Sequence, residues 1–190
     1  MSTTSAVKSK RVSRKDWCLA GLSVLRDQGY QALTIERICL LLEKTKGSFY
    51  HHFVDLEAYL AALLQQWEAD LTEQPIAVSS REASLPGKAA RLDDVVLGLD
   101  HRLDRAVRAW ALHDARAREA VSRVDERRLE YVAQLHRAAK HRNPRVLAEI
   151  EYAAFVGLQH LDFMDDRRRA EKVNEALREA LALLVAHRSG

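Results

Sequence analysis

Apolar residues recur at steps of three and four along nearly the whole chain, and no stretch alternates as a half-buried strand would. The pattern predicts helices throughout. In the first, Trp17, Ala20, Val24 and Leu25 share a face, Ser13 is placed to cap the start with Asp16 three residues on, and Gly29 ends it. After "YQAL", Thr34 caps a second helix that turns Ile35, Ile38, Cys39 and Leu42 inward. A break at Glu43–Lys44 precedes a third, very short helix capped by Thr45. Asp55 then opens a fourth with a stripe through Leu56, Tyr59, Leu60, Leu63, Leu64, Trp67 and Leu71.

The stretch 72–91, "TEQPIAVSSREASLPGKAAR", gathers two of the three prolines with Ser and Gly and reads as a connector. Beyond it, Leu92, Val96, Leu99, Leu103, Ala106 and Trp110 line one helix face. Asp114 marks a shorter helix to about Arg123, and Asp125 another, ending at "KHRNP". Two long helices close the chain over about 144–164 and 168–187. Val146, Ala153, Phe155 and Val156 on the first, and Ala176, Ala180 and Leu183 on the second, extend the apolar surface beyond one stripe. Such helices have a second face to cover, and a partner subunit is the expected cover.

Composition changes this picture little. A length of 190 residues suits one domain or two small ones, and 47% hydrophobic with 30% charged residues is ordinary for a folded protein. No apolar run is long enough to span a membrane, and the basic N-terminus has no apolar block behind it, so a cytoplasmic location is expected. Cys18 and Cys39 sit among apolar neighbours, as reduced core thiols do. Charge is more informative. Residues 1–60 hold nine Lys or Arg against six Asp or Glu and so carry the whole formal charge of +3. Lys8, Lys10, Arg11, Arg14 and Lys15 form an acid-free arm, which points to an anionic partner at this end.

A capped helix of about eight residues, a short turn and a second short helix form a helix-turn-helix, whose second helix enters the DNA major groove. "TKGSFYHHF", residues 45–53, has suitable chemistry. Thr45 and Ser48 bring small hydroxyls, Lys46 a cation, Gly47 room for close approach, and Tyr50, His51 and His52 donors for phosphates. Phe49 and Phe53 read as core anchors. The longer segment "TIERICLLLEKTKGSFYHHFVDLEAYLAALLQQWE", residues 34–68, resembles the DNA-binding domain of the TetR family of bacterial repressors. Thr34, Ile35, Ile38, Thr45, Gly47, Phe49, Tyr50, His52, Phe53 and Leu56 carry the match. Upstream, "SRKDWCLAGLSVLRDQGYQAL" is similar to the family's first helix. Two departures stand in the turn, where the family has Gly and this chain Glu43, and where it has an apolar residue and this chain Lys44.

The resemblance implies an all-α chain with a three-helix DNA-binding domain at 1–55 and a helical effector-binding and dimerisation domain at 56–190. It places Thr45, Lys46 and Ser48 nearest the bases, with Gly47 at the DNA allowing close approach, and Tyr50 and His51 on phosphates. Thr34, Lys44 and Arg14 join the interface, and the arm follows the backbone or enters a minor groove. It further implies a homodimer through about 144–187, a palindromic operator, and a small effector that releases repression. Trp67, Trp110, His113, Tyr131, Tyr152, Phe155 and His160 are the candidate effector contacts, Trp67 being also a candidate link to the reading head. No cofactor or metal is expected. Phosphate loops, nucleophile elbows and HExxH are absent from the sequence, and His136 and His141 stand five apart, so catalysis is not expected. The alternative from another class is a helical dimeric interaction protein that has lost specific DNA binding.

Overall fold

The computed structural model describes residues 12–161 and 163–186, and every regular element among them is helical. Helix α1, Arg14–Gln28, opens with a full capping box: Ser13 Oγ accepts from Asp16 N–H, and Asp16 returns the bond to the Ser13 backbone. It ends at Gly29, whose φ of 80° and ψ of 171° lie in a region open essentially to glycine alone. One 3-10 turn, Tyr30–Ala32, leads to α2, Ile35–Leu42, and α3, Lys46–His52. Thr34 Oγ1 accepts from Arg37 N–H and Thr45 Oγ1 from Ser48 N–H, so both helices start where the caps predict. Between them Glu43 takes the left-handed conformation, φ 53° and ψ 44°, while Lys44 N–H donates to Cys39 O. Here a charged residue occupies a position that glycine fills without steric cost.

Helix α4, Leu56–Glu68, is capped by Asp55 and continues through a wide π turn, Ala69–Glu73, into α5, Gln74–Ser80. Proline explains the wide turn. Pro75 has no N–H to return to Leu71 O, and its ring would crowd that carbonyl in a regular α-helix. Widening the turn lets Gln74 N–H reach Ala69 O, and Arg128 Nη2 donates to Leu71 O at 3.2 Å from outside the helix. The remaining helices are α6 (Leu85–Leu97), α7 (His101–Ala111), α8 (Ala115–Ala138), α9 (Pro144–His160) and α10 (Arg167–Ala186).

Three sequence expectations are corrected. The connector at 72–91 is mostly helix, because Pro86 occupies a first-turn position where a missing N–H costs nothing and the wide turn before α5 accommodates Pro75. The single face from Leu92 to Trp110 belongs to two helices, broken at Gly98–Asp100, where Asp100 caps α7 through Arg102 N–H. Conversely, the break at Asp125 does not exist. Asp114 caps α8 through Arg116 and Ala117 N–H, and Asp125 lies inside that helix, paired with Arg108 at 2.6 Å.

One continuous core runs through the chain. It joins Trp17, Leu25, Ile38, Phe49, Phe53 and Tyr59 near the N-terminus to Leu103, Val107, Trp110 and Val124 beyond. Cys18 and Cys39 are both buried and free, and burial raises both thiols above their ordinary pKa. Among the described residues no helix is long and apolar enough to cross a membrane.

Backbone conformation gives a paired prediction of opposite signs. Glu43→Gly relieves the left-handed strain and stabilises the fold by about 1 kcal/mol. Gly29→Ala costs about 1–3 kcal/mol. Urea unfolding midpoints of the two variants check both signs.

Candidate nucleic-acid interface and interior cavity

Helix α3 has only seven residues, too few to hold itself, and an aromatic seat beneath it supplies the stability. Phe49 is fully buried and meets Trp17 of α1 edge-on at 5.6 Å and Tyr59 of α4 at 5.2 Å. Phe53 packs on Tyr59 at 4.9 Å. Tyr59 donates its hydroxyl to Trp17 O at 2.8 Å, and burial holds its pKa far above the ordinary tyrosine value. From the solvent side Arg14 closes the seat: its guanidinium lies 4.3 Å over the Phe53 ring and its Nη1 donates to His52 O, one of the last carbonyls of α3.

The opposite face of α3 is polar and open. Lys46, Gly47, Tyr50 and His51 are exposed, with Tyr50 at 53%, and Thr45 beside them is exposed too. Thr34 and Thr45 accept backbone N–H groups, yet each hydroxyl keeps its own proton to donate outward. Lys46 Nζ forms an ion pair with Glu36 of α2, and that contact raises the lysine pKa and lowers the glutamate's. Gly47 is informative because no contact among the described residues requires it. A Cβ added there would meet only Thr45 Oγ1, at 3.7 Å. Glycine inside a helix costs roughly 0.5–1 kcal/mol against alanine.

A cavity of about 130 Å³ opens in the body between the α4–α5 junction and helices α6 to α10. Its apolar wall includes Leu71, Ile76, Leu92, Val96, Val132 and Phe155. Its polar edge belongs to a buried network around Asp104, which is 1% exposed. Arg128 grips both carboxylate oxygens at 3.0 and 3.3 Å, Arg108 Nε adds a contact at 3.3 Å, and Trp67 Nε1 donates to Oδ1 at 3.2 Å. Arg128 also donates to Thr72 Oγ1 and Leu71 O. Arg108 continues to Asp125, which accepts from Tyr152 at 2.6 Å. Burial is the largest single influence on Asp104 and opposes its ionisation, but Arg128 and Arg108 together hold its pKa below the usual carboxylate range. For Tyr152 burial wins, and its pKa is pushed up to about 12.

Residues 19–63 match the model of the family described as bacterial regulatory proteins, tetR family. The likeness over that segment is to the TetR family. The chain is 32% identical over 84 residues to the HTH-type transcriptional repressor DhaR of Mycobacterium sp. (strain GP1), an alignment spanning 44% of this chain and 41% of that repressor's length. The fold extends the likeness over the body. Reduced Escherichia coli NemR superposes with a TM-score of 0.73 at 18% identity, covering 88% of this chain and 95% of that one. A TetR transcriptional regulator from Legionella pneumophila gives 0.71 at 15% identity, covering 94% and 99%.

The residues expected at DNA fall into two groups. Thr34, Thr45, Lys46, Gly47, Tyr50 and His51 are exposed on or beside α3, with Ser48 and Lys44 half-exposed. Arg14 is exposed but braces α3 internally, and Lys8, Lys10 and Arg11 lie outside the described residues. Of the expected effector contacts, Tyr131, Tyr152 and Phe155 line the cavity. The others do not. Trp67 and Trp110 are filled into the core, Trp67 one hydrogen bond from the cavity edge through Asp104. His113 stacks on Tyr30 with ring centroids 5.6 Å apart, and His160 is exposed with Nδ1 at Val156 O. Aromatic identity picked these residues out, but helix register turned them away. Asp104, Arg128 and Gln159 escaped notice because Asp104 and Arg108 look like a solvated i,i+4 pair until another helix covers them.

The network predicts the behaviour of Asp104→Asn. Leaving two buried arginines short of an anion costs about 3–5 kcal/mol. A depressed native pKa means that the carboxylate's contribution is complete above its unfolded value of about 3.9 and fades as the pH falls through the native one. The stability gap between wild type and Asp104→Asn therefore stays level through neutral pH and closes in acid. Urea unfolding over a pH series measures it.

Proposed function

We propose that this protein is a homodimeric, DNA-binding transcriptional regulator that represses a palindromic operator and is released by a small effector. The observation that carries the reading is α3, held by a buried aromatic seat and turning a polar face outward around a glycine that no contact among the described residues requires. Thr45, Lys46 and Ser48 read base edges across the close approach that Gly47 allows, while Tyr50, His51 and Thr34 hold phosphates. Lys46 exchanges its exposed ion pair with Glu36 for contacts with DNA. Residues 1–55 then form the reading unit and 56–190 the effector and dimer unit, with α4 common to both.

Dimerisation through α9 and α10 is supported by apolar side chains exposed there, Val146 and Ile150 on the first and Val173 and Leu183 on the second. Two heads related by a two-fold axis meet successive major grooves. Effector coupling runs through the α4–α5 junction: Leu71 and Thr72 form part of the cavity wall, and Arg128 ties both to Asp104 and hence to Trp67 on α4. A ligand that prefers a different setting of this junction shifts the spacing of the heads by that preference.

A second reading, a dimer of this fold without specific DNA binding, is favoured by Glu36 and Glu43, two carboxylates close to the reading helix. Selection of bound fragments from the source genome, followed by titration across a salt series, separates the two. The regulator gives a symmetric site and a steep salt dependence, with a log–log slope of about −0.9 per phosphate contact. Weak, sequence-blind binding with a flat slope leaves only the second reading.

Three substitutions sharpen the test. Tyr50→Ala weakens binding to every sequence alike, whereas Lys46→Ala changes the ranking of sites. Gly47→Ala stabilises the fold by about 0.5–1 kcal/mol yet weakens operator binding about tenfold, because the added methyl lies at the closest approach to the duplex. Gel-shift titrations with operator variants, paired with urea unfolding, report both quantities.

A further inference from the structure

We infer that the interior cavity takes an uncharged molecule of about one aromatic ring in size that carries a hydroxyl, and that Gln159 is the residue recognising the hydroxyl. This deepens the effector reading above and rests on it. Size comes first. A volume of about 130 Å³ is close to that of an engineered apolar cavity of about 150 Å³ that holds benzene.

Charge follows from how the polar wall is already used. Every N–H of Arg128 has an acceptor in the protein: Nε at Thr72, Nη1 at Asp104 and Tyr152, Nη2 at Asp104 and Leu71 O. It has no hydrogen left for a carboxylate ligand. The acids of the wall are equally engaged, Asp104 by Arg108 and Arg128, Glu151 by His136 at 3.1 Å, and Asp93 by Arg178. An ammonium ligand would enter an apolar space without a free anion to meet it, and an anion without a free cation; both lose their hydration for nothing in return. Tyr131 spends its hydroxyl on Ser79 and Ser80.

Gln159 is different. It is 1% exposed and lines the cavity, its Nε2 meets His101 Nδ1 at 3.0 Å, and its Oε1 has no hydrogen-bond partner among the described residues. Buried amide ends are nearly always satisfied, so an unsatisfied one on a cavity wall marks where a ligand group belongs. A hydroxyl both donates and accepts, and completes that end whichever way the amide is turned.

Phenol, toluene, benzoate and benzylamine are probes of one ring size that differ in this one group. Calorimetric titration of the full-length protein at pH 7 is expected to give phenol binding roughly tenfold tighter than toluene, the contribution of one net hydrogen bond, with no saturable binding of benzoate or benzylamine. Gln159→Leu should bring phenol to the level of toluene while leaving toluene within about twofold. Leu92→Trp, which fills the cavity from α6, should abolish both. Equal affinity of wild type for phenol and toluene, tighter binding of either charged probe, or no binding of any probe overturns the inference, and none of these needs a variant. Operator binding by the ligand-free protein is scored separately. Phenol binding without DNA binding sinks the regulator and keeps the ligand class, and the reverse result sinks only the ligand class.

Discussion

A carboxylate removed from water stays ionised only if donors and cations surround it, and Asp104 meets that condition with two arginines and an indole. Each of those partners comes from a different place: Trp67 from α4, Arg108 from α7 itself, Arg128 from α8, with Tyr152 of α9 closing the far side through Asp125. No helix among these can shift far without stranding a charge. The same arginine supplies the hydrogen bond that Pro75 cannot give to Leu71 O, so the irregular junction between α4 and α5 is held by the network rather than by its own backbone. The cavity wall, the junction and the base of the helix leading to the reading head are thereby parts of one electrostatic unit.

The head is built on the opposite principle, with apolar contact below and unspent polarity above. Its aromatic seat joins α1, α3 and α4 through Trp17, Phe49, Phe53 and Tyr59, and Arg14 seals the rim. Against this firm base two local choices reduce stability: a glycine in a seven-residue helix and a glutamate in a left-handed turn. Departures from local preference gathered on one exposed face are what a recognition surface is expected to show. Lys46 on the same face is held in an exposed ion pair with Glu36.

Much of the head was legible in the sequence because its signals are local. Ser13, Thr34, Thr45 and Asp55 cap helices through hydrogen bonds spanning three residues, and Gly29 ends one through its own backbone freedom. Short-range periodicity likewise placed Phe49 and Phe53 inside. The body was read less well where local signals conflict with packing. A proline-rich stretch looked like a linker but folds as helix, because Pro86 falls in a first turn and a wide turn accommodates Pro75. Asp125 looked like a cap but serves Arg108 inside a long helix, and nothing adjacent in sequence reveals that partner.

By itself, then, the sequence determined the all-helical class, the helix starts in the first third, the outward polar set on α3 and the likeness of that segment to TetR-family DNA-binding domains, since all of these depend on residues within a few positions of each other. Tertiary structure alone decided that Asp104, Arg128 and Gln159 are buried together, that Tyr131, Tyr152 and Phe155 reach the cavity while Trp110, His113 and His160 do not, and that Arg14 braces a helix. Those outcomes depend on side chains tens of residues apart and on the rotation of one helix against another. A rotation of that kind is set by the packing of the whole core, which no short stretch of sequence encodes.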